Sequence, residues 1–143
     1  MNTDIVKVKN QAELDAALAA KAEQIDIRGK WNNVVIPEGA KLKRVDVYGT
    51  VEGSVYVYGT VEGSVDVYGT VEGSVDVYGT VEGSVDVYGT VEGSVYVSGT
   101  VEGSVYVYGT VEGSVDVYAT AKVGSVDVYA TAKVGSVDVY GTV

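Results

Sequence analysis

From Val45 to Val117 the chain alternates strictly: every odd-numbered residue is Val or Gly, and every even-numbered one is Asp, Tyr, Thr, Glu or Ser. A period of two places alternate side chains on opposite faces of a strand, so one face is built for burial and the other for water. A second period, of ten residues, is superimposed. The unit Val-Asp/Tyr-Val-Tyr-Gly-Thr-Val-Glu-Gly-Ser recurs with seven Glu-Gly-Ser segments between Glu52 and Ser114. Because ten is even, the alternation keeps its phase from copy to copy. Val55, Val57, Gly59, Val61 and Gly63 share one face, and Tyr56, Tyr58, Thr60, Glu62 and Ser64 the other. Self-similarity at a fixed period is the mark of stacked repeat architectures, in which no unit folds alone.

Parity restricts the topology. An antiparallel meander with two-residue Glu-Gly hairpins would pair Val61 with Ser64 and send Val to opposite faces in successive strands. Three-residue Glu-Gly-Ser loops would keep Val on one face, but about ten strands would then close into a barrel. Its interior would be lined by Val and Gly, which are too small to fill it. A narrow parallel β-solenoid of about twenty residues per coil suits small side chains better, because the inward residues of one coil meet across a thin core. Inward Gly then marks corners where backbones bend or approach closely. The expectation for residues 45–143 is an all-β solenoid of about five regular coils, Val inward and Tyr, Thr, Glu, Asp and Ser outward.

The flanks depart from the unit. Residues 1–44 do not repeat and read as an N-terminal cap: a short strand at Ile5, Val6 and Val8, a helix over residues 11–22, and an irregular first coil. Asn10 stands three residues before Glu13 in capping-box spacing, and Leu14, Ala17, Leu18 and Ala22 fall on one helical face. Ile25, Ile27, Val34, Val35 and Ile36 supply the strands of that coil, Pro37-Glu38-Gly39 a turn, and Trp31 a packing plug at the coil edge. Near the other end, within residues 116–136, Tyr118-Ala-Thr-Ala-Lys-Val-Gly-Ser125 is one residue longer than the regular segment, and the variant returns from Tyr129 to Ser136. The extra residue flips the parity of Val126 and Val128. A bulge or widened corner at Gly124-Ser125 would restore their direction.

Composition removes most chemistry. The chain has no Cys and no His, which deletes disulfides, thiolate sites, the commonest general base and the commonest metal ligand together. Residues 1–44 carry eight Lys or Arg against six Asp or Glu, whereas residues 45–143 carry fourteen acids against only Lys122 and Lys133. That polyanion has the wrong sign for a phosphate backbone, so no nucleic acid partner is expected. No stretch reaches the roughly 20 apolar residues of a membrane-spanning helix and no basic-then-apolar leader is visible, so a soluble cytoplasmic protein without a membrane partner is the expectation.

The spacing Gly59-Thr-Val-Glu-Gly-Ser-Val65 resembles the core of bactofilins, bacterial cytoskeletal right-handed β-helices that polymerise end to end without nucleotide. It also looks like bacterial and phage solenoids with a helical N-cap and Tyr-Gly-Thr repeats. The likeness covers about two-thirds of the chain, and the helical cap departs from bactofilins. The resemblance implies a structural, polymerising role. The near-identity of successive units is what recent duplication or deliberate consensus design leaves, and design is the expected origin.

Asp66 and Glu62 are conceivable as an acid/base pair, but each has near-copies in near-identical surroundings, whereas catalysis needs groups whose environments differ. No enzyme activity, catalytic residue, cofactor or metal site is expected. Columns of Asp and Glu could attract cations, and rows such as Thr50, Thr60 and Thr70 could suit ice or carbohydrate. These make a surface-binding module the alternative reading, with no small-molecule ligand singled out. The Tyr rows from Tyr48 to Tyr88 read as cross-coil stacking ladders, and Tyr106 with Tyr108 as either a register device or an aromatic patch. The last residues, Gly141-Thr142-Val143, still belong to a strand-like unit with no polar capping repeat. An edge of that kind leaves backbone groups unpaired, and the expectation is a homodimer formed through the C-terminal coil.

Overall fold

The computed structural model describes residues 5–118, 121–129 and 132–141. Strand pairing is parallel throughout and successive coils are twenty residues apart, with Val65 beside Val85 and Thr70 beside Thr90. Each coil has four short strands, which stack into four ladders. The first runs through Ile5–Val8, Gln24–Ile27, Arg44–Val47, Val65–Val67, Val85–Val87 and residues 105–107, ending at 126–128. The second starts at Lys30–Trp31 and ends at residues 133–134. The third starts at Val34–Ile36 and ends at 137–139. The fourth starts at Lys41–Leu42 and ends at 122–123. The first ladder has seven rungs, two of them from residues before Val45.

The Val columns are the core. Val45, Val47, Val51, Val55 and Val57 and their equivalents up to Val117 are fully buried. At ~1.5 kcal/mol for each buried Val, the columns are the principal favourable term. Corners form where glycine lets one coil lie on the next: a Cβ at Gly69 would overlap the carbonyl of Gly49, and one at Gly79 that of Gly59. The third corner of the first coil is a turn in which Ala40 N–H donates to Pro37 C=O (3.1 Å), with Gly39 at φ 89°.

Helix α1 spans Gln11–Ala19 rather than residues 11–22. Asn10 caps its start, its side chain accepting from Glu13 N–H, while the Glu13 carboxylate accepts from Lys9 N–H instead of completing the reciprocal box. The helix ends early because Lys21 adopts φ 61°. Lys21 N–H donates to Leu18 C=O and Ala22 N–H to Ala17 C=O, a Schellman closure that turns Ala22 into the core. Trp31 is buried at the head of the second ladder, its indole N–H donating to Arg28 C=O at 2.8 Å.

The variant units shift register at the expected corner, but by shortening it rather than widening it. Thr100 pairs with Lys122, an offset of 22, but Ser104 pairs with Ser125, an offset of 21. Two residues are thus gained between Tyr118 and Lys122, and one is lost at Gly124-Ser125, where the variant strand is the shorter one. The second variant unit repeats this, with Thr110 beside Lys133 and Ser114 beside Ser136. A two-residue insertion preserves phase, and the shortened corner lets Val123 and Val126 both align with inward Val.

Candidate functional site

The proposed acid/base pair does not form a unit. Glu62 approaches Lys41 (3.7 Å), whereas Asp66 accepts from Arg44 (2.9 Å), so the two carboxylates face different cations. Among the described residues no group of three or more acids is arranged to hold a metal ion. The Thr rows are only half-exposed.

Two features stand out from the repeating surface. The first is the polar column on the first ladder, Asp26, Asp46, Asp66, Asp86, Tyr106 and Asp127 in successive rungs. These side chains point away from the Val core, yet Asp26, Asp46 and Asp66 are buried between neighbouring rungs and the flanking Tyr and Ser columns. Cations from the cap neutralise its first part. Arg28 pairs with Asp26 at 3.3 Å and lies over the Tyr48 ring, and Arg44 bridges Asp46 and Asp66 at 2.9 Å each. The arrangement holds the Arg44 guanidinium even more firmly protonated than usual, first through its hydrogen bond to Asp46. Asp86 has no ion-pair partner among the described residues. Burial, and the neighbouring Asp66 carboxylate, push its carboxyl up to about 6. Burial also raises Asp46 to about 6 against the opposing pull of Arg44. The Oδ1 atoms of Asp66 and Asp86 are buried without a hydrogen-bond partner. On the third ladder, Asp76 is flanked by Tyr56 and Tyr96, which separates it from other carboxylates. Its carboxyl is raised by burial while Ser74 opposes the shift.

The Tyr rows stack as anticipated. Tyr48, Tyr68, Tyr88, Tyr108 and Tyr129 form one unbroken column with centroids 4.9, 5.0, 4.8 and 4.2 Å apart. Its counterpart begins with Tyr58 and Tyr78 and is interrupted at Ser98, where Tyr96 turns to stack on Tyr118 at 5.9 Å. Tyr106 leans on both Tyr108 and Tyr129, at 6.1 Å from each. Sequence reading found the columns. It missed the compensation of Ser98 by Tyr96, for which the paired substitutions two residues apart were the available signal.

The second feature is the contrast between the ends. At the first coil Leu14 of α1 is fully buried, and the Gln11 amide both donates to Val35 C=O and accepts from Val35 N–H, at 3.0 Å each. Gln11 thereby stands in for a missing strand at that edge. At the other end the strands Lys122–Val128 and Lys133–Val139 pair on one side only among the described residues. Val128, Val137 and Val139 are 44%, 43% and 46% exposed although they continue the inward columns, and Tyr140 is 70% exposed. A groove of about 460 Å³ lies at the last two rungs of the second ladder, lined by Thr110, Val111, Glu112, Lys133, Val134 and Gly135. Thr142 and Val143, the end of the expected terminal strand, lie outside the described residues. No family model, curated protein or solved structure matches this chain.

Proposed function

We propose that this chain is a structural, self-assembling β-solenoid scaffold, of consensus-designed origin and without catalytic activity, which pairs with a second copy through the edge of its last described coil. The observation that carries the reading is the contrast between a head covered by Leu14 and Gln11 and an edge with three exposed inward-column Val. Unpaired N–H and C=O groups next to exposed apolar cross-section form a template for another strand. With the head covered, such pairing closes on itself as a two-fold dimer instead of extending. Seven Glu-Gly-Ser segments within a nearly invariant unit support the designed origin.

Sedimentation equilibrium across a hundredfold range of concentration tests the assembly. The expected result is a dimer that dissociates on dilution, and a Val137→Lys/Val139→Lys variant that is monomeric throughout, because inward-pointing Lys blocks edge pairing. A monomer at every concentration for the unaltered chain would overturn the reading.

A further inference from the structure

The second Tyr column lacks one ring. Tyr58, Tyr78, Ser98 and Tyr118 occupy successive rungs beside the third ladder, and Tyr78 stacks on Tyr58 at 5.1 Å. Tyr78 and Tyr118 therefore stand two rungs, about 9.6 Å, apart with only the small Ser98 between them. Tyr96 makes up for the missing ring on one side alone. Elsewhere a Tyr at its place leans on the Tyr two residues later, Tyr56 on Tyr58 and Tyr106 on Tyr108 at 6.1 Å each, whereas Tyr96 meets Ser98 there and stacks on Tyr118 of the next coil. Among the described residues no ring covers the face of Tyr78 that looks toward Ser98, and Tyr78 is 48% exposed against 42% for Tyr58.

A carboxylate borders the same gap. Asp76 is 6% exposed, its Oδ1 is buried without a hydrogen-bond partner, and it has no ion pair among the described residues. Ser74, Asp76 and Tyr78 are successive outward residues along one strand. Ser74 engages the carboxyl from one side, so its other side turns toward Tyr78 and the gap. Asp116 stands across Tyr96 from Asp76 and accepts from Ser114 at 2.8 Å. Burial raises the Tyr118 phenol first, and Tyr96, Asp116 and Asp76 raise it further, so the charge of Asp76 is felt two rungs away, on the far side of the missing ring.

The head of the first Tyr column shows what fits such a place. Arg28 occupies the position of a Tyr one coil before Tyr48, lies 4.5 Å from the Tyr48 ring centroid and pairs with Asp26 at 3.3 Å. Arg44 shows in addition that a guanidinium reaches a carboxylate one rung away, since it bridges Asp46 and Asp66.

We propose that the gap over Ser98 is a binding site for one guanidinium group, which stacks on the open face of Tyr78 and donates to the unpartnered Oδ1 of Asp76. The site lies on the side of the solenoid and is independent of its assembly. A guanidinium is as flat as the ring it replaces and carries five donors, so it satisfies the Tyr face and the carboxylate together. A neutral ring would leave Asp76 unpaired, and a compact ammonium cannot lie flat between Tyr78 and Tyr118. A chain of formal charge −10 also draws organic cations toward its surface.

Titration with methylguanidinium chloride, against sodium chloride at matched ionic strength, tests the site through the ring resonances of the tyrosines. Saturable shifts are expected at Tyr78, Tyr96 and Tyr118 and none at Tyr68 or Tyr88. Ser98→Tyr, which restores the residue of the other units, should abolish them, and the isosteric Asp76→Asn should weaken binding at least about tenfold, the usual loss for a hydrogen bond to a charged group. Circular dichroism checks that both variants keep the fold. Ser98→Arg tethers the group in place and should raise the melting temperature, a gain that Asp76→Asn removes. A capped Gly-Arg-Gly peptide distinguishes the source: if it binds as well, the slot admits an arginine of another chain, and if methylguanidinium alone binds, it takes a free guanidinium compound. Unsaturable shifts, shifts shared by Tyr68 and Tyr88, binding that survives Ser98→Tyr, or equal binding of p-cresol or capped Gly-Lys-Gly would each overturn the proposal.

Discussion

Gly69 and Gly79 sit where one coil's backbone lies directly on the carbonyl of the coil before it, and a methyl group there has no flexible neighbour to push aside. Gly79→Ala should therefore cost at least ~1–3 kcal/mol, the usual penalty of overpacking. Gly39→Ala meets nothing within 4 Å and suffers only from its φ of 89°, so ~1 kcal/mol is expected. Thermal melts of the two variants check the order. The carboxylates make a second prediction. Asp46 and Asp86 are raised to about 6 in the fold, above the ~3.9 of an unfolded chain. The folded state binds their protons more tightly, so their stabilisation is complete below about pH 4 and is lost as pH rises through 6. The melting temperature should be higher at pH 5 than at pH 7.5. Asp86→Asn should raise the pH 7.5 value by several degrees and flatten the profile, and an unchanged profile would refute the account. The buried acids were visible in the sequence as a column, but their burial was not. Period-two reading assigns Asp to the wet face, whereas adjacent rungs at ~4.8 Å and the flanking Tyr column close over it.

Helix α1 protects the head of the solenoid by two devices, a buried Leu14 and the Gln11 amide that replaces a strand at Val35. Gln11→Ala leaves the Val35 N–H and C=O without those bonds, and Leu14→Ala opens a cavity costing ~2–5 kcal/mol. In a stacked repeat each coil senses only its neighbours. Hydrogen exchange in either variant should accelerate at residues 24–47 and stay at its original rate beyond residue 65. Uniform acceleration along the whole ladder would count against this locality. The helix and its Asn10 cap were legible from spacing. Its end at Ala19 was not, because Lys21 adopts the left-handed closing conformation without the glycine that usually announces it. The variant units were legible as interruptions, but whether a residue is gained or lost at a corner depends on the rung beneath, and only pairing with Thr100 and Ser104 decided it.

Taken as a whole, the molecule is a polyanion whose cations are concentrated at its two ends: eight Lys or Arg precede Val45, and the remaining two stand on the last strands. Arg28, Arg44, Lys30, Lys41 and Lys43 are all paired with acids of the first coils. The middle coils have no such help, so salt should raise the melting temperature by screening the acidic columns. Ca²⁺ and Na⁺ should act alike at matched ionic strength, and a saturable rise specific to Ca²⁺ would reveal a selective site.

Period, parity and residue size together determined the fold before any coordinates. A ten-residue repeat of alternating Val/Gly and polar residues keeps Val on one face in stacked parallel coils or in a closed meander, and Val is too small to fill the barrel that the meander would need. Which rung sits on which followed as well, so the columns Asp66–Asp86–Tyr106 and Tyr56–Asp76–Tyr96 were set by the twenty-residue coil. The tertiary structure alone decided how residues outside the repeat engage it: Arg44 reaching two rungs of Asp, Gln11 completing the Val35 edge, Tyr96 filling in for Ser98, and the shortened corner beside Lys122. These depend on contacts between residues far apart in the chain or on side-chain directions at corners, where the period-two rule has no force because the backbone there is not a strand.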